Sequence, residues 1–351
     1  MRHLRSGPAP LLIALALIAP VLSALFVAVL APPLMRPAEG AVGSLGLSVR
    51  ALTLNPEDKA QQRVGALIWR GGLVVTADDR DFGGLSDLAI DPAGREVLAV
   101  SDSGRWLSAT LGYDGAGRLA SITANRFGHL RGIDGAPLQG KRRQDAEALT
   151  RLLDGGGLVV GYERDHRIRL FPASNDLAAR PQALAAPPRL SAAALNSGVE
   201  ALVALADGRL LAFTESQAAT AANGADNYAV YLWEDGKGWA DLALKPAGLF
   251  RPTGAALLPD GDVLLLERRF TLLGGVGIRL RQIPAAAITP GAVLTGAEIA
   301  ELRLPLTVDN FEGIAVHQTA GGATRLTLLS DDNFNALQRT LIVQFDLVAG
   351  G

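Results

Sequence analysis

Acidic residues recur at two matching points of a repeated sequence pattern. Five segments share one shape, and four of them carry an acid at the same point: Asp87, Glu147, Glu200 and Glu312, with Gly254 as the exception. A second set closes the apolar run that follows each segment: Asp102, Glu163, Glu215, Glu267 and Asp331. Carboxylates gathered at one place repel one another unless they are protonated or neutralised by cations. These acids are therefore the predicted metal ligands.

The type of ligand restricts the metal. Oxygen donors suit hard cations, whereas softer metals favour thiolate or imidazole ligands. The chain has no cysteine and only four histidines. We expect Ca²⁺, with Mg²⁺ as the alternative. A second interpretation stays open, in which the acids line a water-filled channel or accept hydrogen bonds from backbone N–H groups at strand ends.

Basic residues follow several of these acids in the sequence. Arginine recognises phosphate or carboxylate groups through its fork of N–H donors, and the candidate substrate-binding residues are Arg105, Arg164, Arg268 and Arg339. The candidate catalytic residues are Glu147, Glu200, Glu312 and His166. His166 is included because it is the only histidine near an acidic strand end. Charge balance on an exposed face is the alternative explanation for the arginines.

The elements that must position these residues are short strands in a repeat. The marked positions are 60, 53, 54 and 58 residues apart (87 to 147, 200, 254 and 312). Each segment is followed by a turn such as Asp207-Gly208 or Asp260-Gly261 and then by an apolar run, which indicates a hairpin. Two apolar strands followed by two alternating ones are typical of a propeller blade. The sequence predicts an all-β β-propeller with five countable repeats, and therefore five or six blades.

The two ends of the repeat region are expected to pair with each other. The C-terminal strand, Thr340–Val348, lacks an outer partner, and the strands Val64–Trp69 and Leu73–Ala77 precede the first repeat. Pairing them closes the ring and removes exposed sheet edges. These early strands either complete the fifth blade or help to build a sixth. Residues Ile288–Glu301 are interpreted as an insertion in the fourth blade.

Composition excludes several classes of function. The 351-residue chain has a net charge of −2, so no basic excess indicates nucleic acid as a partner. The absence of cysteine excludes thiol catalysis, disulfides and cysteine-based zinc sites. Gly-x-Ser-x-Gly, P-loop and His-Glu-x-x-His motifs are also missing.

The N-terminus indicates export. Arg2, His3 and Arg5 precede an apolar run, Leu11–Ala31, so residues 1–31 are predicted to be a signal peptide or an N-terminal membrane anchor. Residues 32–46 form a Pro/Gly-rich linker and residues 47–351 the propeller domain. We expect a monomer in the periplasm or outside the cell. An uncleaved segment 11–31 would anchor it to the inner membrane, which is its only expected membrane contact.

Three stretches carry a resemblance to a known family. They are Gly261–Phe270, Asp309–Ala315 and Leu328–Thr340. With Ser101-Asp102-Ser103-Gly104 and the two Glu-Ala-Leu segments, they resemble the phytase-like domain family. That family is described as having the esterase-like activity of phytase. Glu147-Ala148 and Glu200-Ala201 stand where Glu-Gly is expected in that family. The resemblance covers residues 65–348 and implies a propeller that hydrolyses phosphate esters or other esters.

Two classes of function follow and stay open at this point. The first is a metal-dependent hydrolase acting on a small-molecule ester or phosphate ester, with a lactonase-like enzyme as a variant. The second is an exported binding or scaffold propeller without catalytic activity, in which the metal is structural.

Overall fold

A computed structural model describes residues 45–172, 177–217 and 226–348. The predictions for residues 1–44, namely the export segment and most of the linker, lie outside the described residues. The domain belongs to one compact unit, Ala38–Gly351. Among the described residues, no helix is long and apolar enough to cross a membrane.

The described residues are almost entirely β-structure. Within the described ranges, short helices occur only in connections: α1 (Lys141–Gln144) and the 3₁₀ helices Pro188–Ala192 and Ala285–Ala287. The strands, numbered in chain order, are β1 (Leu47–Ala51), β2 (Arg63–Val64), β3 (Leu67–Ala77), β4 (Leu85–Ile90), β5 (Glu96–Ser101), β6 (Arg105–Tyr113), β7 (Leu119–His129), β8 (Ala146–Arg151), β9 (Leu158–Tyr162), β10 (Arg167–Phe171), β11 (Gln182–Leu184), β12 (Val199–Ala204), β13 (Leu210–Gln217), β14 (Tyr228–Glu234), β15 (Gly238–Leu244), β16 (Arg251–Leu257), β17 (Val263–Thr271), β18 (Gly275–Ile283), β19 (Val293–Leu294), β20 (Ala297–Arg303), β21 (Phe311–Gln318), β22 (Thr324–Ser330) and β23 (Leu341–Leu347).

Five sheets form the five blades of a propeller, which confirms the predicted fold. Blades 1 to 4 are β4–β7, β8–β11, β12–β15 with β19 at the edge, and β16–β17–β18–β20. Blade 5 has the order β21–β22–β23–β3, extended by β1 and β2. The first strands, β4, β8, β12, β16 and β21, each contact the next around a closed ring. We call the end of the channel at which these five strands begin the mouth.

The ring closes through the two ends of the chain, as predicted. The C-terminal strand β23 lies between β22 and the N-terminal strand β3, with Leu341 opposite Val74 and Leu347 opposite Leu67. The early strand is therefore the fourth strand of blade 5, and there is no sixth blade among the described residues. The predicted insertion Ile288–Glu301 is wrong in part, because residues Ala297–Arg303 are the fourth strand of blade 4.

Each first strand contains a β-bulge near its start, and the five bulges define which residues are equivalent. The register shifts at Ser86, Glu147, Glu200, Thr253 and Glu312. A bulge leaves one residue unpaired and redirects its side chain. The equivalent residues of blades 1 and 4 are therefore Ser86 and Thr253, and the alignment that used Asp87 and Gly254 is off by one residue.

The residue after the bulge must be small where two blades approach closely. A Cβ on Gly254 would lie 2.5 Å from the Glu312 carbonyl oxygen, and one on Gly313 would lie 2.9 Å from the Cα of Asp87. Alanine occupies this position in blades 2 and 3, as Ala148 and Ala201, both fully buried. Close packing of the first strands thus fixes the ring that carries the bulged residues.

Candidate functional site

The mouth is lined by carboxylates from four of the five blades. Bulged glutamates come from blades 2, 3 and 5: Glu147, Glu200 and Glu312. On each second strand, one residue pairs with the residue just before the bulge. The residue after it is an acid in blades 1, 2, 3 and 5: Asp102, Glu163, Glu215 and Asp331. Blade 4 differs, because its equivalent residues are Thr253 and Arg268. The acidic ring is therefore open at blade 4, where a cationic side chain stands instead.

Three carboxylates of blade 2 come close enough to share one cation. Asp145, Glu147 and Glu163 each offer one oxygen, and these three oxygens lie within 4.8 Å of one another. Ca²⁺ binds carboxylate oxygens at about 2.3–2.6 Å, so one ion can contact oxygens that are up to about 5 Å apart. The spacing fits a single hard cation. Ligands from sequence-distant residues would complete its coordination.

Asp145 already has two cationic partners. Lys141 Nζ lies 2.5 Å from its Oδ1, and Arg164 Nε lies 2.5 Å from its Oδ2. Lys141 also contacts Asp102 Oδ2 at 2.6 Å. Burial lowers the pKa of the Lys141 ammonium, but the bonds to Asp102 and Asp145 outweigh it and raise this pKa above its usual value. The charge at the blade 2 end of the ring is thus partly compensated by the chain itself.

Glu147 and Glu200 lack such compensation. Burial raises the pKa of both carboxyls well above the usual value, and neighbouring acids raise it further. The nearby Glu163, whose Oε1 accepts the Gly198 N–H at 3.0 Å, is one of the acids that raise the pKa of Glu200. A bound cation would stabilise the charged form of both glutamates.

Glu312 lies between the other acids of the ring and the guanidinium of Arg268 in blade 4. Its Oε1 accepts a hydrogen bond from Asn310 Nδ2 at 2.9 Å and lies 3.5 Å from Arg268 Nη2. Burial raises the pKa of Glu312 to about 7, although Arg268 and Asn310 oppose the rise. Burial and the nearby Glu312 raise the pKa of Asp331 to about 9. Glu312 is thus a carboxyl that can gain or lose a proton near neutral pH.

Asp87 does not belong to the mouth, which corrects its assignment as a metal ligand. Its Oδ2 accepts the Leu149 N–H at 2.7 Å and its Oδ1 accepts the Leu88 N–H at 2.8 Å. The buried carboxylate connects the first strands of blades 1 and 2 within the ring that these strands form. Burial raises its pKa well above the usual value, and these backbone hydrogen bonds oppose the rise.

Glu267 is also removed from the set of candidate ligands. Because it precedes Arg268 by one residue, its side chain lies on the opposite face of β17. It is fully buried, and both of its oxygens are bonded to Arg281, at 2.5 and 2.8 Å, with Arg279 at 2.9 Å. This buried ion cluster belongs to the interior of blade 4.

The predicted substrate-binding residues divide into two pairs. Arg164 and Arg268 contact carboxylates of the mouth, as described above. Arg105 is paired with Asp81 and Arg339 with Asp309, the latter at 2.9 Å, so both have partners outside the acidic ring. The structure thus brings two of the four arginines to the candidate site.

His166 and Glu215 lie at the blade 3 side of the site. His166 Nε2 lies 3.0 Å from the Ala194 carbonyl oxygen, whereas its buried Nδ1 has no hydrogen-bond partner among the described residues. A Cβ on Gly198 would touch both Glu163 and His166, so both side chains pack against this glycine. Glu215 accepts a hydrogen bond from Arg251 Nη1 at 2.8 Å.

The donor set fits a hard divalent cation. The three residues close enough to share a cation offer carboxylate oxygens only, and Asp102 Oδ1 is buried without a hydrogen-bond partner among the described residues. A buried oxygen without a donor is costly unless an ion or ordered water satisfies it. Asp145, Lys141 and Asn310 were not among the predicted site residues. Each contributes in one blade only, which a repeat pattern cannot reveal.

The opposite end of the channel has a different character. A cavity of about 380 Å³ is lined there by the far ends of the first strands, with residues such as Leu88, Val203, Ala256 and Ile314. His317 borders this cavity, and burial lowers the pKa of its imidazole. The described residues that line this cavity include no aspartate or glutamate, in contrast to the mouth.

The stability of the metal-free protein should fall as pH rises from about 5 to 8. A folded-state pKa of about 7 for Glu312, against 4.5 in the unfolded chain, means that folding takes up a proton between these values. A tenfold change in an acid dissociation constant corresponds to about 1.4 kcal/mol, so Glu312 alone contributes about 3 kcal/mol, present at pH 5 and lost above pH 7. Glu147, Glu200 and Asp331 act in the same direction.

Melting temperatures of the chelator-treated protein at pH 5 and pH 8 test this dependence. The Glu312→Gln variant should show a smaller difference, because it lacks one of the titrating groups. A metal-free protein that becomes more stable between pH 5 and pH 8 would contradict the assignment.

Comparison with known proteins adds a family match. The family model described as "Phytase-like: Esterase-like activity of phytase" matches residues 80–334, which is more than half of the chain. This range includes blades 1 to 4, the strands β21 and β22 of blade 5, and every carboxylate of the mouth. Among curated proteins, no sequence is similar enough to the chain to count as a match.

Solved structures give only distant similarities. They include a luciferin-regenerating enzyme with 12% identity and a TM-score of 0.38, covering 77% of this chain and 96% of that chain. A protein of unknown function from Dyadobacter fermentans has 14% identity and a TM-score of 0.42, with 90% and 99% covered. A nidogen/laminin complex has 11% identity and a TM-score of 0.39, with 80% and 97% covered. These similarities carry no argument about the function of this chain.

Proposed function

The chain belongs to the phytase-like family, and we propose that it is a metal-dependent hydrolase of phosphate esters or other esters. The observation that carries the proposal is the approach of Asp145, Glu147 and Glu163 at the mouth, where their oxygens lie within 4.8 Å of one another. The proposal includes a small-molecule substrate, a monomeric enzyme and the periplasmic or secreted location predicted from residues 1–31.

The three carboxylates of blade 2 would hold the cation, and Ca²⁺ suits their oxygen ligands best. When bound, a divalent cation polarises the phosphoryl or carbonyl oxygen of an ester and stabilises the charge that develops on it. Asp145 keeps Lys141 and Arg164 as further partners, so the blade 2 side of the mouth also offers fixed positive charge.

Blade 4 supplies the complementary part of the site. Arg268 replaces the acid that the other blades have, and it leaves one side of the mouth able to accept an anionic group. It contacts Glu312 at 3.5 Å, which is longer than a direct hydrogen bond, so the guanidinium retains donors for a substrate oxygen. We assign Arg268 to the binding of a phosphate or carboxylate group.

Glu312 is the proposed general acid–base residue. Its Oε1 accepts a hydrogen bond from Asn310 and faces Arg268, so Oε2 is the oxygen that remains to carry a proton. A carboxyl with a pKa of about 7 can transfer a proton in either direction near neutral pH. The wall of the ring holds the side chain in place, since its neighbours Phe311 and Gly313 pair with β22.

Assays of the purified protein on p-nitrophenyl phosphate and p-nitrophenyl acyl esters, with and without chelator, test the proposal. We expect activity that chelation removes and Ca²⁺ restores. Glu312→Gln should lower kcat at least about a hundredfold, as expected for loss of a general acid–base group. Arg268→Gln should mainly raise KM, and Glu234→Gln, an exposed glutamate paired with Lys237, is the matched control.

Two results would contradict the proposal. Activity that chelation leaves unchanged would exclude the metal-dependent mechanism. Metal binding without activity on any ester would favour the alternative, a binding or scaffold propeller with a structural metal.

A further inference from the structure

The exposed apolar side chains of the domain are concentrated at the mouth. Among the described residues, only Val49, Leu153 and Val293 are large, apolar and exposed away from this end. Val49 and Val293 lie in edge strands, and Leu153 follows β8 at the opposite end of the channel. All other exposed side chains of this type lie in loops or strand ends at the mouth. Exposed apolar side chains gathered at one end of a domain are a feature of interaction sites.

Blade 4 contributes most of these side chains. Leu272 is 94% exposed and Leu273 is 103% exposed, at the tip of the hairpin that joins β17 to β18. Phe270 precedes the tip, at 63% exposure, and Leu304 follows the end of β20, at 68%. Leu249, at 69%, precedes the start of β16. The register places all five at one end of one sheet, so they form a projecting apolar edge beside the mouth.

The shape and charge of this edge suit a lipid surface. Fully exposed leucines at a hairpin tip project outward and offer no pocket for a partner's side chain, but they can insert between lipid chains. Arg303 is exposed beside Leu304 and has no ion-pair partner among the described residues. Arginine next to apolar side chains is favourable at the head-group layer, where its charge meets lipid phosphate.

The chain also enters the domain at this end. Leu47, the first residue of β1, pairs with Ala77, the last residue of β3, and the connection from Ala77 to β4 runs along the mouth. The apolar segment predicted as an export signal or membrane anchor, residues 11–31, precedes this point in the sequence.

We infer that the apolar edge of blade 4, beside the mouth, docks on a lipid bilayer, with its hairpin tip inserted among the lipid chains and Arg303 at the phosphate layer. This inference adds a second membrane contact to the one expected from the N-terminal segment. It does not depend on the proposed activity, because it rests only on exposed side chains at the rim and on the point where the chain enters.

The absence of cysteine allows a site-specific test in the full chain. Leu273→Cys carries an environment-sensitive fluorophore at the hairpin tip, and Leu153→Cys carries it at the opposite end as the matched control. Both proteins are mixed with phosphatidylcholine vesicles, alone and with added phosphatidylglycerol. We expect a blue shift of emission at position 273 and none at position 153. A label at the tip reports insertion even when the N-terminal segment also binds the vesicle.

Two further variants separate apolar insertion from charge. In a protein labelled through Leu304→Cys, replacing both tip leucines (L272D and L273D) should abolish the blue shift. Arg303→Gln should remove only the additional shift produced by phosphatidylglycerol.

Three outcomes would overturn the inference. The first is vesicle-bound protein without a shift at position 273. The second is equal shifts at positions 273 and 153. The third is a shift at 273 that appears without vesicles and grows with protein concentration, which would identify a second copy of the chain as the partner of this face.

Discussion

A chain that ends at Arg339 is expected not to fold. Residues 340–348 include β23, which lies between β22 and β3 and joins the two ends of the chain. Its removal exposes two sheet edges and opens the ring, and unpaired edges promote aggregation. Leu341, Val343 and Phe345 are also buried members of one core cluster with Trp69. Circular dichroism and size-exclusion chromatography should show an aggregated or unfolded protein.

A milder variant tests the same closure in a chain that still folds. Phe345 is fully buried and contacts Trp69 edge to face, with ring centroids 5.2 Å apart. Phe345→Ala should lower the free energy of unfolding by about 3–5 kcal/mol, as expected for a large buried aromatic. Leu337→Ala, at a 90% exposed position, is the control and should leave the unfolding midpoint unchanged. A monomeric, fully stable chain ending at Arg339 would contradict the closure.

The fold could be predicted because its signals are local. Each blade has its own hairpin turns and apolar strands, so the repeat was visible in the sequence. The number of blades was not, because it depends on the pairing of Leu67–Ala77 with Leu341–Leu347 across most of the chain. Only the structure shows that the early strand completes blade 5.

The misplaced site residues share one physical cause. A bulge shifts the register by one residue and exchanges the two faces of a strand, so an acid one position away from the equivalent point lies in the wall. Asp87 and Glu267 are such acids. One signal was available: Gly254 matches Gly313, the small residue after the bulge, and that match aligns Thr253 with Glu312. It would have marked blade 4 as the break in the acidic ring.

Glu147→Gln should have opposite effects on stability and on metal binding. Without a divalent cation, the change removes a carboxyl that burial and neighbouring acids destabilise in its charged form. The metal-free variant should therefore melt at a higher temperature than the unaltered protein at pH 8. With Ca²⁺ the order should reverse, because the variant lacks one charged ligand and should bind the ion at least about tenfold more weakly.

Glu234→Gln is again the control. This glutamate is the last residue of β14, at the end of the blade opposite the mouth, and it is paired with Lys237. It should change neither the metal-free melting temperature nor the response to Ca²⁺. A Glu147→Gln variant that is less stable than the unaltered protein under both conditions would indicate a packing role for this side chain.

The carboxylates of the mouth are expected to bind a divalent cation, and calorimetric titration of the metal-free protein with Ca²⁺ at pH 7.5 measures this binding. Asp331, with a pKa raised to about 9, holds a proton at this pH, and the pKa values of Glu147 and Glu200 are raised in the same direction, so we expect binding to displace protons. We predict saturable binding whose heat depends on the ionisation enthalpy of the buffer, and loss of this signal in Glu147→Gln. The absence of saturable heat and of proton release would contradict the claim and leave the acids as the lining of a water-filled channel.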